Sequence, residues 1–195
     1  MTAVPKLVHF SSARDGEPEK DWWRTPPGIF DLFHRELAFT IDVAADHSNA
    51  LLPRYFTPEV DAFAHAWTGR CFCNPPYSQL LRWVSRARSE VIKGNAELVA
   101  LLIPARVETA AWQDFILLPE GELFGVTRQE RAGPTKGIER FRRHTSITLH
   151  SAGLKTEVRF LRSRIQFLKP DGSKAKNGSP FGSALVLFSP PGGGR

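Results

Sequence analysis

The chain has 195 residues, 42% of them hydrophobic with 14 Phe and 5 Trp, which suits one domain with a substantial core and argues against a disordered chain. No apolar run approaches the roughly 18 residues of a membrane span, and the N-terminus lacks the basic-then-apolar layout of a secretory signal, so a cytoplasmic location with no membrane partner is expected. The net charge of +6 is unevenly placed: residues 128–176 hold 13 Lys/Arg and 4 Asp/Glu, a net of +9, which leaves −3 for the remainder.

In chain order, residues 1–20 are polar and aperiodic and read as a loose arm, and the final "PPGGGR" gives a tail over 191–195. One domain is expected over 21–190. "DWWRTPPGIFDLFHREL" predicts a helix with Thr25 as N-cap, prolines at its first positions and an apolar face of Ile29, Phe30, Leu32, Phe33 and Leu37. "AFTIDVAA" predicts a strand ending at Asp42. After an irregular stretch come a strand at "GRCFC", a helix at "SQLLRWVSRARSEVIKG" closed by Gly94, and a buried strand at "ELVALLIPA".

This βαβ-like order implies a parallel sheet whose ligands sit beyond the carboxyl ends of the strands, where Asp42, Asn74 and Pro104 should converge on one rim. A helix at "TAAWQDFILL" follows, then the basic segment, with strands predicted at "TSITLH", "EVRFLRSRIQFL" and "SALVLFS". "KPDGSKAKNGSP" reads as a turn or mobile loop. Cys71 and Cys73, two apart on one strand, suit neither a disulfide framework nor a four-ligand zinc site and read as small buried residues. The scattered histidines form no ligand spacing, so no metal is expected. Trp22 and Trp23 read either as stacking plates for a nucleotide or as core and helix-staple residues.

The stretch with the most chemistry is Asn74-Pro75-Pro76-Tyr77, between a strand and a helix. Two prolines make a stiff corner that presents an amide oxygen, a backbone carbonyl and a phenol ring in a small volume. An exocyclic amino group is a poor nucleophile because its lone pair is delocalised into the ring. Holding both its hydrogens on the Asn74 oxygen and the Pro75 carbonyl localises that pair toward an electrophile, with Tyr77 stacked on the base.

These four residues match the signature of amino-group methyltransferases that use S-adenosylmethionine. The ordered blocks "WWRTPPGIFDLF", "FTIDVAA", "RCFCNPPYS", "LLIPARVETAAW" and "FLRSRIQF" resemble the phage-type DNA N6-adenine methyltransferase family, over roughly residues 22–118 and 157–189. The resemblance implies a Rossmann-like methyltransferase fold, S-adenosylmethionine as cofactor, and a catalytic set of Asn74, Pro75, Pro76 and Tyr77. It implies cofactor contacts at Thr25, Pro26 and Asp42. By local setting alone Thr25 is a cap and Asp42 a strand-end turn residue. Ser78 either contacts substrate or only caps the next helix.

Two departures from the family pattern stand out. The glycine-rich loop that usually follows the first strand is replaced by "VAADHSNA", and Gly69 lies only 27 positions after Asp42, too few for two further strands. An abbreviated cofactor half is expected, with the ribose-holding acid unassigned between Asp46 and Asp61. The second departure is a basic insertion at about 120–156. Arg128, Arg140, Arg142, Arg143 and, beyond it, Arg164 would face DNA phosphates or base edges, while a plain solvated surface is the competing reading.

The resulting expectation is a phage-encoded enzyme, working as a monomer, that methylates adenine N6 in double-stranded DNA on a flipped base. The alternatives are a catalytically weak or inactive DNA-binding protein on the same fold, or an N-methyltransferase of RNA or protein.

Overall fold

A computed structural model describes residues 19–117, 123–151, 153–174 and 179–192. Most of the expected N-terminal arm, part of the 169–180 loop and the last three residues of the tail lie outside these.

The chain folds as a mixed α/β protein around one seven-stranded sheet. Helix α1 (Pro27–Leu37) buries Ile29, Phe30, Leu32, Phe33 and Leu37, the apolar stripe seen in the sequence, and ends at Ala38 in the left-handed region, φ 48°. Its N-cap is Pro26 with Pro27 at the first helical position, and no side chain caps it. Thr25 is therefore not the cap: two prolines pre-set the helical φ, leaving the threonine one residue too early.

Strands β1 (Ile41–Asp42), β2 (Gly69–Cys73) and β3 (Ala96–Pro104) are parallel neighbours, and α2 (Leu80–Ile92) makes the crossover from β2 to β3. A helical turn at Ala110–Trp112 continues into a π turn at Gln113–Leu117, the wider winding that replaces the single helix expected there. The remaining strands are β4 (Leu123–Arg131), β5 (His144–Ser151), β6 (Leu154–Leu161) and β7 (Ser183–Ser189). The sheet order is β1-β2-β3-β7-β6-β5-β4, and every pairing from β3 onward is antiparallel.

The parallel sheet expected from the βαβ order thus holds for only three strands. The strands run parallel where a long connection carries the chain back to the starting edge, the irregular stretch 43–68 between β1 and β2 and α2 between β2 and β3. The tight connection between β5 and β6, with Gly153 at φ 72°, leaves room only for a reversal.

The basic stretch at 120–156 is not an excursion from the sheet: it supplies β4, β5 and the start of β6. Strand β4 escaped the sequence reading because it is the outer edge. Residues 127–131 are all exposed, so no apolar alternation marks them.

Alternation is clear in the central strands. Val99, Leu101 and Ile103 of β3, with Cys71 and Cys73 of β2 and Val186 and Phe188 of β7, face α2 and the fully buried Trp67 and Trp112. Leu98, Ala100, Leu102, Phe72 and Leu185 face α1 on the opposite side. Helices therefore cover both faces of this half, and each buried Leu, Ile or Val contributes about 1.5–3 kcal/mol from burial. The cysteines are free and fully enclosed, and burial pushes the Cys71 thiol up to about 12 and the Cys73 thiol higher than its ordinary value. No helix among the described residues is long and apolar enough to cross a membrane.

Candidate active site

Beyond the carboxyl ends of β1 and β2 lies a cavity of about 410 Å³ walled by three stretches of chain, 21–25, 42–63 and 72–83. That size falls within the usual range for small-molecule sites. Asp42 and Asn74 both reach it, as the strand-end argument requires. Pro104 does not; it lines a neighbouring hollow of about 270 Å³ together with Tyr77, Arg106 and Phe181, and Ser78 borders both.

Asn74 follows directly on β2, and its amide is held by two contacts. The Nδ2 group donates to the Trp23 carbonyl at 2.9 Å, and Oδ1 accepts from the Tyr77 hydroxyl at 3.3 Å. The first bond sets which way the amide faces. The second is long and correspondingly weak, so a better donor can displace it at little cost. Burial drives the Tyr77 phenol far above its ordinary value, so it remains a protonated donor. Pro76 precedes a single 3-10 turn, Tyr77–Gln79, and its carbonyl accepts from Gln79 at 3.1 Å.

Ser78 is not the cap of α2. Gln79 holds that position without a side-chain bond, because the 3-10 turn intervenes, and the Ser78 backbone amide instead donates to Asp21 Oδ1 at 2.9 Å.

Thr25 is 5% exposed and borders the cavity, and its hydroxyl meets no hydrogen-bond partner among the described residues. A buried hydroxyl without a partner costs on the order of 1–3 kcal/mol, which a bound polar ligand can offset. Pro26 stands behind it as the helix cap and does not border the cavity.

Asp42 is the strand-end turn residue expected of it, and it also borders the cavity. Its Oδ1 accepts from the Ala44 amide at 3.3 Å and its Oδ2 from Leu51 at 3.4 Å, so it shapes the following loop while lining the cavity. Burial raises its carboxyl from 3.8 to about 6. The folded state therefore holds a proton more tightly than the unfolded chain, and this contribution to stability is complete below pH 4 and lost as pH rises to about 6. Asp42→Asn should flatten that part of the stability profile, as followed by thermal denaturation from pH 4 to 7; an unchanged slope would count against this titration.

Asp61 also lines the cavity but lies at φ 54°, and its Oδ1 is used by the Phe63 amide at 3.0 Å. Asp46 accepts from the backbone and hydroxyl of Ser48, which in turn receives Arg24. In place of a second strand beside β1, Arg54–Phe56 makes one parallel bridge, Asp42 to Tyr55, with bonds of 3.0 and 2.9 Å.

Trp22 and Trp23, which the sequence left open between stacking and core roles, line one wall; the sequence reading missed Asp21 and Arg24 beside them, and Phe63 and Arg82 on the other wall, where the Arg82 guanidinium sits 3.7 Å over the Phe63 ring. The only local signal was the unusual "DWWR" before the prolines. Four aspartates and two arginines line the cavity, a balance that favours a ligand bearing positive charge.

Arg128, Arg140, Arg142, Arg143 and Arg164 line neither hollow. Arg142 pairs with Glu139 at 3.4 Å, and Arg140 lies 4.8 Å over Phe141. Arg128 sits on edge strand β4, and Arg164 is exposed after β6.

Residues 12–127 match the family model described as DNA N-6-adenine-methyltransferase (Dam). The chain is 36% identical over 87 residues to the DNA N-6-adenine-methyltransferase of Haemophilus phage HP1 (strain HP1c1), over 43% of this chain and 50% of that protein. It is 38% identical over 65 residues to YfdM of Escherichia coli (strain K12), provisionally named a methyltransferase, over 29% of this chain and 71% of that protein. The match thus spans about half the length of the phage relative.

Proposed function

The chain belongs to the DNA N-6-adenine-methyltransferase family, and on that premise we propose that it transfers a methyl group from S-adenosylmethionine to adenine N6 in double-stranded DNA, as a monomer in the cytoplasm of a bacterial phage host. The observation that carries this reading is the Asn74 amide, held at a strand end on the rim of a ligand-sized cavity.

The β1–β2–β3 half reads as a Rossmann-like cofactor half cut short beyond β1. The cavity fits the cofactor by three features: its volume, its surplus of aspartates, and the unpartnered Thr25 hydroxyl. Thr25, Asp42 and Asp61 would hold it, with Pro26 placing Thr25. When bound, S-adenosylmethionine supplies a methyl carbon made electrophilic by the attached sulfonium.

The protein's own part is positional. Asn74 Oδ1 and the Pro75 carbonyl accept the two hydrogens of the adenine amino group, with Oδ1 exchanging the weak Tyr77 bond for a substrate bond. Tyr77 offers its ring to the base, and Pro76 keeps the corner rigid. With its hydrogens so held, the amino nitrogen would direct its lone pair at the methyl carbon that S-adenosylmethionine would supply, with the neutral thioether as leaving group. The surplus proton departs from nitrogen afterwards, so no strong base is needed there. A paired and stacked amino group cannot reach this corner, which requires the base to leave the helix.

The direct test is incubation with methyl-labelled S-adenosylmethionine and duplex DNA, followed by digestion to nucleosides and mass measurement. N6-methyladenine is the expected product. Label confined to RNA or protein, or no label at all, would overturn the assignment.

The basic face is proposed to follow DNA phosphates. Changing Arg142 and Arg143 to Ala should then reduce the slope of log affinity against log salt by about 0.9 for each phosphate no longer neutralised, with cofactor affinity unchanged. Fluorescent duplex titrated at several salt concentrations measures this, and a wild-type slope would remove these two residues from the DNA-binding face.

A further inference from the structure

Both contacts made by the Asn74 amide, the one to Trp23 that orients it and the weaker one to Tyr77, lead to the same third residue. The Trp23 ring, whose backbone carbonyl takes Asn74 Nδ2, stacks on Phe167 with centroids 5.9 Å apart and planes 20° apart. The Tyr77 ring, whose hydroxyl reaches Asn74 Oδ1, meets the same Phe167 edge to face at 6.3 Å and 81°. Asn74, Trp23, Phe167 and Tyr77 therefore form a closed circuit of two hydrogen bonds and two ring contacts.

Phe167 is fully buried and lines neither hollow. Its place is set from outside the corner: Leu168 and Arg24 exchange backbone bonds of 2.8 and 3.0 Å, which lock the segment carrying Phe167 beside the one carrying Trp23. This ring therefore packs against both residues that the Asn74 amide contacts.

We propose that Phe167 is a positioning residue for the reaction, acting through Trp23 and Tyr77 to aim the Asn74 acceptor; this rests on the methyl-transfer reading above. Phe167 enters from the far end of the chain, so the circuit also couples the segment after β6 to the corner after β2.

The test compares Phe167→Leu and Phe167→Met, which keep an apolar filling but lose the ring, with Phe188→Leu, an equally buried ring on β7 away from the corner. Misplacement of a reacting geometry by about 1 Å costs up to about a hundredfold in rate. The expected result is a fall in kcat of roughly tenfold to a hundredfold in both Phe167 variants, with the KM for S-adenosylmethionine and the affinity for DNA within about twofold. Phe188→Leu should keep kcat.

The second readout needs no turnover: the side-chain amide signals of Asn74 in a 15N spectrum, identified by their loss in Asn74→Asp, should shift in the Phe167 variants alone. Wild-type kcat together with unmoved amide signals would overturn the proposal, as would an equal loss in Phe188→Leu. If the unmodified protein transfers no methyl group, the methyl-transfer reading fails on that result, and the amide signals still decide whether Phe167 orients Asn74.

Discussion

Asn74→Ala is expected to lower methyl transfer by a hundredfold or more while leaving DNA and cofactor binding near wild type. The substitution deletes one of the two acceptors on the substrate amino group, and loss of a single oriented polar group at a reacting centre costs on the order of a hundredfold to a thousandfold. It also frees the Trp23 carbonyl and the Tyr77 hydroxyl of their shared partner. Asn74 is only half-buried, so water can reach these groups and the loss of stability should be about 1 kcal/mol.

Asn74→Asp is the informative companion. It keeps an acceptor oxygen toward substrate but turns the other oxygen against the Trp23 carbonyl, so its rate should fall between wild type and Asn74→Ala. Single-turnover transfer from labelled cofactor, alongside DNA anisotropy, separates chemistry from binding. Near wild-type turnover in Asn74→Ala would sink the assignment of this corner as the reacting centre.

Glu90→Ala is expected to be strongly destabilising and to loosen a loop of the cavity wall from behind. Glu90 lies on α2 with its side chain 1% exposed, and it is saturated with partners: Arg86 at 2.8 Å, the Trp67 amide at 3.0 Å and Asn95 Nδ2 at 2.9 Å. Removing Glu90 takes the opposite charge from a half-buried Arg86 and the acceptor from the buried Trp67 amide, which together should cost about 3 kcal/mol. For a chain of this size that corresponds to a fall in Tm on the order of 10 °C.

The effect reaches the site. Arg86 also donates to the Phe63 carbonyl at 3.0 Å and the His65 carbonyl at 2.7 Å, pinning the loop that walls the cavity. Cofactor affinity should therefore fall with stability. Glu90→Gln, which retains an acceptor for Trp67 but not the charge opposite Arg86, should be intermediate. Calorimetric melting and a cofactor titration on the same variants check both parts; a Glu90→Ala protein that melts within a degree or two of wild type would show that the ion pair contributes little.

The charged surface illustrates how little a residue count settles. Arg131 and Arg159 both reach Glu36 at 2.9 Å, and Arg162 pairs with Glu130, so several members of the basic segment join α1, β4 and β6 to one another or tie the sheet's edge. Acids distant in sequence consume part of a charge excess that looked free. For Arg159, 8% exposed with Glu157 as a second partner, the structural role is the clearer one.

What the sequence determined by itself was local. The apolar stripe of α1, the bounds of β2 and β7, the burial of Cys71 and Cys73 and the place of Asn74 at a strand end all follow from periodicity and from the dihedral limits of proline, which act within a few residues. The stretch Asn74 to Tyr77 was legible as a candidate site for the same reason: the groups it presents belong to adjacent residues.

The tertiary structure alone decided what lies around that corner. Asn74 meets Trp23 across 51 positions and Ser78 meets Asp21 across 57, contacts with no short-range signal in the sequence. These contacts bring residues 21–25 into the cavity wall, where Thr25 serves as lining and not as a cap. Strand order was likewise undetermined, because a strand's own residues specify which faces are buried but not which neighbour it pairs with. That choice rests on how the faces of α1, α2 and the π turn can all be covered at once.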